Sequence, residues 1–152
     1  MVTTQMTPYI LIIDDSPTIR AILEMTARRE GYAARCFPDG YAALRWLASP
    51  EGQIPALIFL DLTMPRMDGF TVLRHFKSKP ALAVVPVIVL TSREGRIDQL
   101  KARLAGACEY HSKPLPQEAI VAILHQYLTL PIQATLPGPS DQHLYQTQGD
   151  RS

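Results

Sequence analysis

The sequence predicts an α/β fold in which a parallel sheet carries helices on both of its faces. Five short segments with strand character alternate with stretches in which apolar residues recur at helical spacing. The segments in the middle of the chain are apolar at every position, which is typical of strands that helices cover on both sides. Residues that begin or end helices separate the segments. We therefore expect five rounds of strand and helix within one domain.

Each predicted element has a recognisable pattern or boundary residue. The strands are predicted at residues 9–13, 32–37, 56–60, 86–90 and 108–112. The helices are predicted at residues 17–30, 39–48, 69–79, 97–104 and 117–128. Ser16 can cap the first helix, and Pro17 suits its first position, where a missing N–H costs nothing. Gly31 and Gly106 suit the ends of the first and fourth helices, and Pro80 lies beyond the third.

Length and composition limit the class of protein. A content of 47% apolar and 19% charged residues in 152 positions is typical of one globular domain. The net charge of +1 and the lack of a basic stripe give no reason to expect direct DNA binding. No apolar stretch approaches the ~20 residues of a membrane span, and the first residues do not resemble a signal peptide. We expect a cytoplasmic protein without membrane insertion.

The chain is expected to have three regions. Residues 1–8 form an N-terminal extension, residues 9–128 form the alternating domain, and residues 129–152 form a polar tail that we expect to be flexible. Cys36 and Cys108 lie inside or beside apolar runs without CxxC spacing. We therefore predict that both are buried free thiols.

Acidic residues stand at the ends of two predicted strands. Asp14 and Asp15 follow the first strand, and Asp61 follows the third. Because ligands bind beyond the carboxyl ends of parallel strands, we expect the three carboxylates to meet. Each aspartate taken alone could be a helix cap or a loop residue. Together they suit Mg²⁺, which prefers hard oxygen ligands, and Asp61 becomes a candidate nucleophile toward phosphorus.

Two further residues are predicted at the same edge of the sheet. Thr91 ends the fourth strand, where its hydroxyl could satisfy a loose backbone group or donate to a phosphoryl oxygen. Lys113 follows the fifth strand, and its ammonium could be a solvated surface charge or could pair with a carboxylate and a phosphate. Pro114 raises the chance that the Lys113–Pro114 peptide bond is cis. The combination predicts a site for a divalent cation and a phosphoryl group.

This constellation resembles the receiver domain of two-component response regulators, most closely the single-domain, CheY-like kind. The acidic pair, Asp61, Thr91 and the Lys113–Pro114 pair occur in the order and at the spacing typical of that family. The similarity extends over residues 9–128. It implies a doubly wound, flavodoxin-like parallel sheet of five strands in the order 2-1-3-4-5, flanked by five helices. A stretch from Arg93 onward also resembles receivers of cyanobacterial pilus-motility and phototaxis systems.

The resemblance implies a role for each residue of the site. Asp61 is implied as the phosphoacceptor, and Mg²⁺, or alternatively Mn²⁺, is implied as the cofactor. The implied metal ligands are Asp14, Asp15, Asp61 and the backbone carbonyl of Thr63. Asp14 is implied to act either directly or through water.

The same resemblance implies a conformational switch. Thr91 and Lys113 are implied to contact the phosphoryl oxygens, and Tyr110 matches an aromatic residue that moves inward when Thr91 moves toward the phosphate. The implied output surface comprises the fourth helix, the fifth strand and the fifth helix. The implied partners are a cognate histidine kinase or phosphotransfer protein and a downstream target protein. The chain itself is implied to be a signalling phosphoacceptor that catalyses only its own phosphorylation and dephosphorylation.

The residues also bear on three other classes of protein. A haloacid-dehalogenase-like phosphohydrolase needs Asp-x-Asp after the first strand, but here Ser16 follows Asp14 and Asp15 directly. A nucleotide-binding domain needs a glycine-rich phosphate loop, which follows none of the strands. A phosphorylation-independent interaction module with a receiver-like fold stays open as the alternative.

Overall fold

The computed structural model describes residues 8–92 and 95–128. Its strands are β1 (Tyr9–Ile13), β2 (Ala33–Phe37), β3 (Leu57–Asp61), β4 (Val87–Thr91) and β5 (Glu109–Ser112). Its helices are α1 (Pro17–Arg29), α2 (Gly40–Ala48), α3 (Gly69–Ser78), α4 (Pro80–Ala83), α5 (Arg96–Leu104) and α6 (Gln117–Tyr127). Residues 1–7 of the predicted extension and the whole predicted tail, residues 129–152, lie outside the described residues.

The five strands form one parallel sheet in the order β2-β1-β3-β4-β5. This confirms the doubly wound fold class and the implied strand order. Strands β1, β3 and β4 are buried at every position, because helices cover both faces of the sheet. The central strands therefore have no exposed face, which explains why their sequences are continuously apolar.

Alternate residues of β1 divide the core into two layers. Tyr9, Leu11 and Ile13 face the layer formed with α2, α3 and α5. Ile10 and Ile12 face the layer formed with α1 and α6. This alternation follows from the two-residue period of a strand, and it places helices on both faces as predicted.

Side chains cap the starts of three helices, and the first of these caps, Ser16, was predicted. The Ser16 hydroxyl accepts a hydrogen bond from the Ile19 N–H at 3.3 Å, and Pro17 occupies the first position of α1. The Asp39 and Asp68 carboxylates cap α2 and α3 in the same way, at 2.7 and 2.9 Å. These caps satisfy N–H groups that a helix start otherwise leaves without a partner.

Residues 8–92 and 95–128 form six helices where five were predicted. Pro80 begins the additional short helix α4, because proline is compatible with the first turn of a helix although it ends the preceding one. The Lys77 ammonium, on α3, donates hydrogen bonds to the carbonyls of Ala83 and Val85, each at 3.0 Å, and so ties α3 to the end of α4 and the residues that lead into β4. The predicted fourth and fifth helices correspond to α5 and α6.

Several boundaries and one burial prediction were also wrong. Strand β2 begins at Ala33 instead of residue 32, while β3 and β4 each extend one residue further, to Asp61 and Thr91. Both cysteines are free, but Cys36 is only half-buried and Cys108 is exposed. An apolar neighbourhood in the sequence does not guarantee burial, because Cys108 lies in the turn that precedes β5.

Helix α5 carries its apolar residues on the solvent side. Ile97, Leu100 and Leu104 are 72%, 58% and 79% exposed, whereas Ala102 is buried against the sheet. Their helical spacing predicted the helix correctly, but they lie outside the core. Within the described part of the chain, no helix combines the length and the apolar character that a membrane span requires.

Gly69 allows α3 to begin close to the end of β3. Its N–H donates to the Leu62 carbonyl at 2.9 Å. A Cβ atom at this position would lie 2.4 Å from the Asp61 carbonyl oxygen and 2.5 Å from the Leu62 Cα. Because both neighbours are backbone atoms, neither can move without displacing the strand end that carries Asp61.

We expect Gly69→Ala to lower the free energy of unfolding by about 2–3 kcal/mol, since overpacking against backbone forces a local shift. Urea denaturation measures this change. Gly95→Ala is the matched control, because a Cβ there would meet only an Asp98 carboxylate oxygen at 3.8 Å. Equal effects of the two substitutions would show that close packing at Gly69 is not the cause.

Candidate functional site

The register of the sheet brings the predicted site residues to one edge. Ile13 pairs with Leu60, so Asp14 and Asp61 each come one position later on neighbouring strands. Thr91 pairs with Ser112 across β4 and β5, directly before Lys113. The Lys113 N–H donates to the Thr91 carbonyl at 2.9 Å, which ties these two strand ends together. The carboxyl ends of four strands therefore form one site, as expected for a parallel sheet.

Three carboxylates meet at the centre of this site. Asp14, Asp15 and Asp61 each offer an oxygen, and these atoms lie within 4.8 Å of one another. Asp14 and Asp61 are buried, and Asp15 is exposed to solvent. Such proximity of like charges is unfavourable unless a cation or a proton compensates it.

Lys113 supplies part of that compensation. Its ammonium lies 2.5 Å from the Asp14 Oδ2 atom and 3.2 Å from the Asp61 Oδ2 atom, so it bridges the two buried carboxylates. Burial alone lowers the pKa of Lys113, but the hydrogen bonds and charges of Asp14 and Asp61 outweigh burial and raise the pKa above its ordinary value. The lysine is therefore charged, and the site retains an excess of negative charge.

Hydrogen bonds fix both the backbone and the side chain of Asp14. Its Oδ1 atom accepts a hydrogen bond from the Ser16 N–H at 2.9 Å, and its own N–H donates to the Phe37 carbonyl at 3.1 Å. Its backbone carbonyl accepts a hydrogen bond from the Arg20 guanidinium at 2.7 Å. Together with the Lys113 contact, these bonds fix both the backbone and the carboxylate of Asp14.

Asp61 is a buried carboxyl group with an altered affinity for protons. Burial raises the pKa of Asp61 from 3.8 to about 6, and the Asp14 charge acts in the same direction. The Thr63 N–H, which donates to the Asp61 Oδ1 atom at 3.0 Å, and the Lys113 charge oppose this rise. Desolvation of the carboxylate thus outweighs the groups that stabilise its charge.

Thr91 lies at the end of β4, and Tyr110 lies on the neighbouring strand β5. Thr91 is completely buried at the end of β4. Tyr110 is half-buried and packs against the core layer that includes α3 and α5. It lies on β5 beside Val89 in the register, two positions before the Thr91–Ser112 pair.

The structure brings together Asp14, Asp15, Asp61, Thr91 and Lys113, all of which the sequence singled out. The Lys113–Pro114 peptide bond is cis. Thr63 enters the site through its N–H, a contact that the sequence did not indicate. Arg20 was missed entirely, because a side chain that binds a backbone carbonyl leaves no pattern in the sequence.

The residues of the site fit a divalent cation with hard oxygen ligands. The carboxylate oxygens are close enough to share one ion, and the exposure of Asp15 leaves room for water ligands. A cation would also offset the charge of Asp14, which adds to the effect of burial in raising the pKa of Asp61. Asp14 and Asp61 are equally occupied, because each already contacts a backbone N–H through Oδ1 and the Lys113 ammonium through Oδ2.

Comparison with known proteins identifies the family. The model for the response regulator receiver domain matches residues 10–125. The chain belongs to this family, whose members are signalling phosphoacceptors and interact with histidine kinases and downstream targets. It is 33% identical to Protein PilG of Pseudomonas aeruginosa over 119 residues. The aligned residues make up 78% of this chain and 86% of that protein.

Solved structures share the fold. The chemotaxis response regulator CheY4 of Vibrio cholerae has a TM-score of 0.73 and 24% identity, with 81% of this chain and 100% of that chain covered. The Mn²⁺-bound form of response regulator Rcp1 has a TM-score of 0.70 and 25% identity, with 86% of this chain and 99% of that chain covered. These likenesses confirm a CheY-like receiver fold, and the narrower cyanobacterial resemblance stays a prediction.

Asp61→Asn should stabilise the metal-free protein at neutral pH. The folded pKa of about 6 exceeds the ordinary 3.8, so the unfolded chain releases this proton first as the pH rises. The folded state therefore loses stability between about pH 4 and pH 6, and the buried charge costs about 1–3 kcal/mol above that range. Removing it should raise the free energy of unfolding by that amount at pH 7.5 and by almost nothing at pH 4.

Urea denaturation in EDTA at both pH values measures this difference. Glu51→Gln, at an exposed carboxylate, is the control and should change stability by less than about 0.5 kcal/mol. An Asp61→Asn protein that is less stable than wild type at pH 7.5 would contradict the inferred cost of the buried charge.

Lys113→Met should destabilise the metal-free protein, because it leaves Asp14 and Asp61 without their shared counter-ion. We expect a loss of about 3 kcal/mol in EDTA. Lys101→Met removes an exposed lysine and should cost less than about 0.5 kcal/mol. If chemical denaturation gave similar values for both variants, the bridging role of Lys113 would be wrong.

Proposed function

We propose that this protein is a single-domain response regulator that is phosphorylated on Asp61. The observation that carries this proposal is the group of three carboxylates within 4.8 Å of one another, with the Lys113 ammonium between Asp14 and Asp61. Such a group combines a nucleophile, ligands for a cation and a positive charge for a phosphate. The donor of the phosphoryl group is a histidine kinase or a phosphotransfer protein.

The metal site of the proposal consists of Asp14, Asp15, Asp61 and the backbone carbonyl of Thr63. Mg²⁺ is the proposed ion and Mn²⁺ an alternative, which the likeness to the Mn²⁺-bound form of Rcp1 supports. A bound divalent cation neutralises carboxylate charge and stabilises charge on the transferring phosphoryl group. Asp15 is the ligand with the most freedom, because its carboxylate is exposed.

Asp61 acts as the nucleophile. One of its carboxylate oxygens forms a bond to phosphorus while the P–N bond of a phosphohistidine donor breaks, and the leaving imidazole takes up a proton. The Thr63 N–H orients the carboxylate through its hydrogen bond to Oδ1. Lys113 is already within 3.2 Å of Asp61, so its ammonium can pair with the new phosphoryl oxygens.

Phosphorylation then alters the neighbouring strand ends. It adds nearly two negative charges and three strong acceptors next to Thr91 and Lys113. We propose that the Thr91 hydroxyl moves toward the phosphoryl group and that Tyr110 moves inward with it. This motion shifts a two-state equilibrium in α5, β5 and α6.

The output surface of the proposal consists of α5, β5 and α6. The exposed side chains of Ile97, Leu100 and Leu104 support it, because apolar groups on one face of a helix favour protein contacts. The downstream target is therefore a protein. We propose that residues 9–128 form the receiver domain, that the chain works in the cytoplasm, and that it acts without direct contact to DNA or insertion into a membrane.

The alternative is a receiver-like module that binds its target without phosphorylation. In this alternative, the acidic site does not take part in phosphoryl transfer. The desolvated Asp61 carboxylate, whose pKa is raised to about 6, favours the proposal that Asp61 is phosphorylated. A purely structural site gains nothing from such a costly buried charge.

Intact-mass measurement with a small-molecule phosphodonor such as acetyl phosphate tests the proposal. Wild type should gain the mass of one phosphate in the presence of Mg²⁺ and none in EDTA. Asp61→Asn should gain none under either condition, since its side chain cannot form the acyl phosphate. Asp68→Asn is the matched control on the same loop, because Asp68 caps α3 and lies outside the acidic centre.

Two outcomes decide between the hypotheses. Phosphate on wild type and on Asp68→Asn, but not on Asp61→Asn, supports the proposed switch. A folded wild-type protein that gains no phosphate from any donor tested would favour the phosphorylation-independent module.

A further inference from the structure

Arg20 lies close to the acidic centre, where it contacts the backbone of Asp14. It is the fourth residue of α1, and its guanidinium reaches back to the backbone carbonyl of Asp14, with an N···O distance of 2.7 Å. A cation near the N-terminus of a helix is unfavourable because the helix dipole is positive there. The contact with Asp14 is therefore not explained by the electrostatics of the helix.

The Asp14 carbonyl belongs to the peptide group that joins Asp14 to Asp15. The next peptide group, between Asp15 and Ser16, is also held, because the Ser16 N–H donates to the Asp14 Oδ1 atom at 2.9 Å. Both peptide groups that flank Asp15 are thus fixed by hydrogen bonds. One depends on the Arg20 side chain and the other on the Asp14 carboxylate.

Asp15 differs from the other two carboxylates because its side chain is exposed. Asp14 and Asp61 are positioned by burial and by Lys113. Asp15 is exposed and makes no contact with Lys113 like theirs, so the course of its backbone largely decides where its carboxylate emerges. A ligand that is held in place before the ion binds loses less conformational entropy on binding.

We propose that Arg20 is a positioning residue that fixes Asp15 as a metal ligand. This inference rests on the proposed metal site. Arg20 acts through the Asp14 carbonyl, and it does so although its positive charge repels a cation. The hydrogen bond and the charge of Arg20 therefore have opposite effects on metal affinity.

Because these two effects are opposite, the direction in which a substitution of Arg20 changes metal affinity shows which effect dominates. If Arg20 acted only by its charge, Arg20→Met would tighten the binding of a divalent cation, because a nearby positive charge is removed. If Arg20 positions Asp15, the same substitution weakens binding. We expect a loss of roughly 10-fold, as is typical when a group that orients a metal ligand is removed.

Isothermal titration of the full chain with MnCl₂, and separately with MgCl₂, measures the affinity. Arg28→Met is the matched control: Arg28 is on the same helix, carries the same charge and is exposed in an ion pair with Glu24 at 2.9 Å. Its effect on affinity should stay within roughly 2-fold, since an exposed, distant charge is screened. Thermal unfolding in EDTA shows whether each variant is folded.

Arg20→Lys separates the hydrogen bond from the charge. It keeps the charge but replaces the planar guanidinium with a shorter ammonium, so we expect weaker binding than wild type and stronger binding than Arg20→Met. This variant also decides the question if Arg20→Met does not fold.

The outcomes distinguish the role of Arg20 from the existence of the metal site on which that role depends. Weaker binding by both Arg20 variants, with Arg28→Met near wild type, supports the role of Arg20. Unchanged or tighter binding by the folded Arg20 variants overturns that role and leaves the metal site intact. A wild-type protein that binds neither ion overturns both the metal site and the role of Arg20.

Discussion

The balance of charge between Lys113 and the buried carboxylates of Asp14 and Asp61 is the interaction on which the rest of the structure depends. One ammonium bridges two acids at 2.5 and 3.2 Å, and a third acid stands beside them at the surface. The lysine compensates only part of the negative charge, so the site keeps an attraction for cations. A fully neutralised site would be more stable and would have less reason to bind an ion.

The apolar core around the parallel sheet compensates for the unfavourable free energy of this cluster of charges. Strands β1, β3 and β4 are buried along their whole length, and their apolar residues stabilise the fold far from the acidic edge. The site itself is confined to the first polar residues at the strand ends. Because of this separation, the domain as a whole can be stable although the cluster of carboxylates is locally destabilising. Functional sites commonly have such a local cost in stability.

The fold class and most of the site could be predicted from the sequence, because both depend on local patterns. Asp14, Asp61, Thr91 and Lys113 stand at the ends of short strand-like runs, and any parallel sheet brings such ends together. Helix α4 and the exposure of the apolar stripe on α5 could not be predicted. Periodicity shows that a helix forms, but it does not show which face the other elements leave uncovered.

The sequence by itself determined the alternation of strands and helices, the caps and the identity of the polar residues at the strand ends, since these follow from backbone and side-chain chemistry within a few residues. Only the tertiary structure decided that Lys113 lies between Asp14 and Asp61, that burial raises the pKa of Asp61 to about 6, and that Arg20 holds the Asp14 carbonyl. These properties arise from the distances and the loss of solvent between residues far apart in the chain, and no local pattern encodes them.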